Sequence, residues 1–241
     1  LWKKLISSAK KRNKNAVFMA ETLGCTLEQT QALSGTGFDF LFNSSKYWNY
    51  DQSWAIDQHE QFRSLAPSIS FPESHDTPRL ASEKPGSIQM QKSRYALATL
   101  FSKGILMPQG YEFGARNRMD VVQGSPSDVE SPQWDLTKWI RAINEFKLAT
   151  PIIKQEGHWR AASAYDWDLI LLERASDDNK SKIMVCINKD WYNKRTVNRN
   201  EFPGATEAYT KMVRMFADSH APATIPESFA LDPNEIIVLL P

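Results

Sequence analysis

Along the chain, stretches with a helix-like apolar period alternate with short, wholly apolar runs. Trp2, Leu5, Ile6 and Ala9 share one face of a helix predicted over residues 2–12, with lysines on the other face. Ala16-Val17-Phe18-Met19-Ala20 follows, an uninterrupted run of the kind expected for a strand buried on both faces of a parallel sheet. It stops abruptly at Glu21-Thr22. A helix is predicted over 27–34, then a strand at Phe38-Asp39-Phe40-Leu41-Phe42 that ends in Asn43-Ser44-Ser45. A helix within 51–65 leads to the strand Ser68-Ile69-Ser70-Phe71, which ends in Pro72-Glu73-Ser74-His75-Asp76. The clearest helix covers 89–103, with Gly104 expected as its C-cap. Ile105-Leu106-Met107 is the fourth strand and ends in Gly110-Tyr111-Glu112-Phe113-Gly114. A polar loop and a helix over 135–149 complete this part.

Strand alternating with helix implies a parallel sheet with right-handed crossovers. Every strand here ends in polar or charged residues, at the end where an α/β barrel puts its chemistry. The pattern changes near Pro151. Beyond it come short strand-like runs at 159–165, 169–174, 182–187 and 236–240, separated by turn signals such as Asp177-Asp178-Asn179. Two domains are therefore expected: an α/β part over 1–150 and a small antiparallel β-domain over 151–241.

Composition narrows the partners. Hydrophobic residues make up 41% of the 241 and charged residues 24%, values of a folded globular chain. The net charge of +1 supplies no global field for nucleic acid or an anionic membrane. The basic run within 3–14 reads as the solvated face of the first helix. No apolar stretch is long enough to span a bilayer. Without a signal peptide, a cytoplasmic location is expected. Cys25 and Cys186 are far apart and form no CxxC, which excludes a disulfide scaffold; Cys186 lies in an apolar run and reads as a core thiol. The eight tryptophans exceed what a chain of this size usually carries, and neutral aromatic faces suit sugar rings better than phosphates.

Candidate chemistry lies at the strand ends. Glu21 follows one strand, His75-Asp76 follows another, and Glu112 follows the next. Their separations are close to two and then one of the roughly 31-residue βα units that a ~250-residue barrel contains, so all three belong on one rim. A carboxyl at an apolar strand end is held in its acid form by desolvation.

These segments resemble glycoside hydrolase family 13, the α-amylase family. Phe18-Met19-Ala20-Glu21 looks like the end of its fifth barrel strand, Phe71 to Arg79 is similar to its seventh-strand His-Asp motif, and Gly110 to Gly114 looks like its eighth-strand motif. The opening helix looks like the family's fourth. The resemblance implies the second half, about strands 5 to 8, of a (β/α)8 barrel followed by an antiparallel β-sandwich domain. It implies Glu21 as general acid/base and Asp76 as the carboxylate that grips sugar hydroxyls and stabilises the oxocarbenium-like transition state. It also implies His75, Arg79, Trp48 and Tyr111 as substrate contacts. Trp48, with Tyr47 and Tyr50, could equally be loop packing, Arg79 a local ion pair, and Glu112 a structural carboxylate.

One departure is severe. The family's nucleophile is an Asp on the fourth strand, and no Asp here sits in a matching Arg-x-Asp context. The usual Asn before His-Asp is Ser74. The chain opens without Met inside a helix-like segment, so the first half of the barrel is expected upstream, in the same or a companion chain. The expected activity is that of a retaining α-glucan hydrolase acting on an α-glucan or maltooligosaccharide. The alternatives are a glucosyl- or maltosyltransferase of the same family and a non-catalytic amylase-like module. No cofactor is expected in this chain; calcium could belong to the complete enzyme.

Overall fold

The computed structural model describes residues 1–202 and 208–241. The first part runs α1 (Trp2–Arg12), β1 (Met19–Ala20), α2 (Leu27–Gln31), β2 (Phe40–Phe42), α3 (Trp54–Phe62), β3 (Ser68–Ser70), α4 (Ile88–Phe101), β4 (Gly104–Ile105) and α5 (Thr137–Ala149). The four strands pair in parallel and in chain order, with Ala20 opposite Leu41, Phe42 opposite Ile69, and Ser70 opposite Ile105. This is the order of consecutive units of a (β/α)8 barrel.

Local chemistry starts the helices. Thr26 and Gln29 form a reciprocal capping box at α2. The Ser87 hydroxyl accepts the Met90 N–H at the start of α4. Helix α4 is buried nearly all round, because it packs against β3 on one side and the β-domain on the other.

Three expectations are corrected. Val17 and Met19 are 60% and 53% exposed, so β1 is not buried on both faces. It pairs only with β2, and its far edge has no strand among the described residues. In α1 only Ile6 is buried, while Trp2 and Leu5 stay half-exposed. Gly104 does not cap α4. The helix ends at Ser102 in an extended conformation, and Gly104 is a strand residue. A Cβ on Gly104 would lie 2.7 Å from the Ile69 side chain, so glycine there lets β3 and β4 approach.

The second part has strands β5 (His158–Ala161), β6 (Leu169–Ala175), β7 (Lys182–Asn188), β8 (Arg195–Asn198), β9 (Lys211–Arg214), β10 (Ala223–Thr224), β11 (Ser228–Leu231) and β12 (Ile236–Leu240). Six of them form an antiparallel sheet in the order β10-β9-β12-β7-β6-β5, and β11 pairs with β8 in a second sheet. The alternation is clean. Ile170, Leu172, Val185, Ile187, Ile236 and Val238 join the cluster that contains α4 and α5. Leu169, Leu171, Met184, Cys186, Ile237 and Leu239 face Val197 and Leu231 of the two-stranded sheet. The six-stranded sheet is thus covered on both faces, which explains why its central strands read as continuous apolar runs. Cys186 is buried and Cys25 exposed, both as free thiols.

Charged groups are buried where the two parts meet. Arg174 is fully enclosed under the Trp159 ring and donates to the Gln155 carbonyl; burial pulls its pKa down to about 10. Lys147 donates to the carbonyls of Thr99 and Ser102, both at 2.6 Å, satisfying the C-terminal end of α4.

Candidate active-site rim

The parallel register brings the C-terminal ends of β1 to β4 to one rim. Glu21 is the residue after β1, level with Phe42 and Ile69. Its side chain is exposed, so the apolar surround expected of it is not built by these residues. The next residue fixes the turn: the Thr22 hydroxyl donates to the Phe42 carbonyl at 2.6 Å. Neighbouring strands lie roughly 4.8 Å apart, so the chain at Glu21 and the end of β3 are separated by about 10 Å across the rim.

The loop after β3 carries His75-Asp76 at its tip. The Ser74 N–H donates to the Thr77 hydroxyl at 3.0 Å, and that hydroxyl donates to the Ser74 carbonyl at 3.1 Å. The Asp76 N–H reaches the Ser74 hydroxyl at 3.3 Å. Inside this knot the two side chains stay accessible, with His75 Nε2 at 3.5 Å from Asp76 Oδ2. Both of the groups expected to meet sugar at this loop therefore face solvent. Ser74, where the motif has Asn, serves the backbone of the turn.

Three other expectations are corrected by burial. Trp48 is 0% exposed: its indole N–H donates to the Gln52 carbonyl, and its ring packs on Tyr50 and Phe101. Tyr111 is 0% exposed, donates to the Gln91 carbonyl and packs against Tyr95. Desolvation pushes its phenol well above the usual range, with Glu73 and Tyr95 adding to the effect. Neither ring has a face left for a sugar. Tyr47 is the exposed aromatic of the loop after β2. Arg79 is buried as well, with its Nε at 3.0 Å from Glu73 Oε1.

Glu73 is the functional candidate that the sequence pattern did not single out. Its only signal was an acid six residues before an arginine, on either side of His-Asp. Its second carboxylate oxygen accepts the Leu80 N–H at 2.5 Å. Burial pushes this carboxyl up, opposed by the Leu80 N–H, Arg79 and Lys46. Glu112 follows β4 in a short helical turn between Gly110 and Gly114, both with positive φ. Its Oε2 is buried without a hydrogen-bond partner. A Cβ on Gly114 would stand 2.4 Å from the Trp134 ring, so glycine there is required by space as well as by φ.

Among the described residues, no three His, Cys, Asp or Glu side chains converge as metal ligands. No helix of the described residues is long and apolar enough to cross a membrane.

No family model matches the chain. It is 26% identical over 206 residues to an α-1,4-glucan:maltose-1-phosphate maltosyltransferase of Burkholderia pseudomallei, covering 78% of this chain and 18% of that protein. Among solved structures it is similar to an Anoxybacillus α-amylase, with a TM-score of 0.69 at 16% identity, covering 100% of this chain and 56% of that one. The α-amylase of H. orenii gives 0.65 at 13%, covering 99% and 56%. A complex of AmyP with maltose gives 0.68 at 11%, covering 99% and 61%. The chain thus spans little more than half of these solved structures and under a fifth of the curated relative. The structural likenesses establish the fold, and the sequence similarity adds the relationship. Fold and sequence similarity together make the chain similar to the second half of an α-amylase-type (β/α)8 barrel with the β-domain that follows it.

Proposed function

We propose that this chain supplies the acid–base side of the active site of a retaining α-glucan-active enzyme. Glu21 protonates the leaving glycosidic oxygen and later deprotonates the incoming hydroxyl. Asp76 and His75 hold the hydroxyls of the sugar whose bond is cleaved, and Asp76 stabilises the developing oxocarbenium charge. The observation that carries this reading is the placement of Glu21 and His75-Asp76, exposed, at the ends of parallel strands on one rim. The nucleophilic Asp comes from a further barrel strand with an Arg-x-Asp pattern, which this sequence does not contain. The substrate is an α-glucan or maltooligosaccharide. A transferase reading is favoured by one specific observation, the similarity to a maltosyltransferase. Hydrolysis and transfer use the same carboxyls and differ in whether water or a sugar hydroxyl attacks the covalent glycosyl-enzyme intermediate in the second step.

Two assays test the proposal. The 241-residue chain alone is expected to turn over neither starch nor an activated maltooligosaccharide, since the covalent intermediate needs the nucleophile. In a polypeptide that also carries the Arg-x-Asp strand, Glu21→Gln and Asp76→Asn should each lower kcat by at least ~100-fold with unchanged melting, and His75→Ala by less. Near-normal kcat in the Glu21 variant would refute the assignment. Products run with and without a maltose acceptor separate transfer from hydrolysis.

A further inference from the structure

The loop after β3 has no regular secondary structure between Phe71 and Arg79, yet its base is closed by charge. Glu73 and Arg79 stand at the two ends of the His75-Asp76 turn. Their side chains are 1% and 3% exposed. Arg79 Nε faces Glu73 Oε1 at 3.0 Å, and the other oxygen of Glu73 takes the Leu80 N–H. The guanidinium does not stop there. Its Nη2 donates to the Gln109 carbonyl at 3.0 Å, in the segment that follows β4. Gly110 comes next, with φ at +86°, and a Cβ placed on it would stand 3.0 Å from that same Nη2. Arg79 therefore fills the space that the glycine leaves, and the turn carrying Glu112 is built against the arginine.

Enclosing a carboxylate and a guanidinium removes both from water, a cost that the attraction between them offsets only when the geometry is good. A loop held merely for stability could use apolar side chains at both ends. The planar guanidinium of arginine supplies something they cannot: one rigid cation that lies against a carboxylate on one side and donates to a carbonyl on the other. Nη2 donates to the neighbouring strand end, while Nε lies 3.0 Å from the Glu73 carboxylate at the base of the His75-Asp76 loop as an ion pair outside hydrogen-bond geometry.

We propose that Glu73 and Arg79 are positioning residues that staple the His75-Asp76 turn and lock it to the Gln109–Gly114 turn, so that two segments of the rim hold one fixed relation. The functional consequence rests on the reading of His75-Asp76 as sugar contacts. The staple itself does not.

Amide hydrogen exchange on the 241-residue chain reads the staple directly. Arg79→Met should raise exchange by about tenfold or more in both 72–80 and 108–114, leaving 169–175 and 182–188 in the β-domain unchanged. Arg79→Lys separates the two arms. Its ammonium can still meet Glu73 but cannot also span to Gln109, so 72–80 should return toward the native rate while 108–114 stays raised. Glu73→Gln, which keeps the shape, should loosen 72–80 more than 108–114. Unchanged exchange in 108–114 for Arg79→Met would overturn the lock. A uniform rise across the chain in every variant would also overturn it, because the pair would then serve global stability alone. In the catalytically complete polypeptide, Arg79→Lys should lower kcat more than it raises KM. If His75→Ala leaves turnover untouched while the exchange results hold, the staple stands and the sugar-binding reading fails.

Discussion

Single residues show the strongest contrast between what a side chain is and where it lies. Lys147 is a lysine with almost no access to water, and burial holds its ammonium at about 7, with Arg174 adding to the effect and Glu156 opposing it. Its two acceptors suit a neutral amine, which has two N–H groups to give. In the unfolded chain the same group titrates near its ordinary value of 10.5. Between about 7 and 10.5 the unfolded state therefore binds the extra proton, and stability should rise with pH across that window, by up to roughly 1 kcal/mol per pH unit from this group. Denaturant unfolding at pH 7, 8 and 9 should show the rise in the natural chain and its loss in Lys147→Met; parallel curves would contradict it. The strand-end positions of Glu21 and His75-Asp76 were legible because each follows an apolar run that stops at a polar residue. Trp48, Tyr111 and Arg79 were not, because the same residue types serve a core or a sugar equally well. Only the packing partners, Phe101, Tyr95 and Glu73, decide between them.

At the scale of elements, apolar runs announced more strand than the backbone forms. The run ending at Ala20 gives a two-residue strand, because pairing on one side alone orders only the positions opposite Phe40 and Leu41. Strands β6, β7 and β12 were plain in the sequence, since both faces are covered and every position is apolar. Strands β8 to β11 were not: Arg195–Asn198 and Ala223–Thr224 are short, largely polar and half-wet. Asp166 and Asp168 are exposed in the loop between β5 and β6, and Glu173 pairs with Arg160 and Lys182 at 3.0 Å. Alanine at Asp166 or Asp168 should leave kcat/KM of the complete enzyme within a few-fold. A tenfold loss at either, with unchanged melting, would mean that this loop reaches the substrate.

For the whole molecule, the outer edge of β1 is the least satisfied surface. Val17 and Met19 are exposed along it, with Leu1, Trp2 and Leu5 close in sequence and also exposed. Its peptide groups face no strand on that side among the described residues. Such an edge invites pairing, and each large apolar side chain left wet forgoes about 1.5–3 kcal/mol. The isolated chain is expected to self-associate at micromolar concentration in sedimentation, and Val17→Lys with Met19→Lys should shift it toward monomer. A monomer with the natural sequence would count against this.

The six-stranded sheet has a consequence for how the molecule can be divided. A single apolar cluster runs from Trp48 in a rim loop, through Leu100 of α4 and Ile143 of α5, to Ile170 and Val238 of the sheet. The change of pattern at Pro151 marks a boundary in sequence but not a gap in packing. A cut there would strip one whole face from β6, β7 and β12 and leave α4 with a bare side. The β-domain is thus no detachable module that could be traded between enzymes like a bead on a string. It is the back wall of the half-barrel, and inheritance of one part constrains the other.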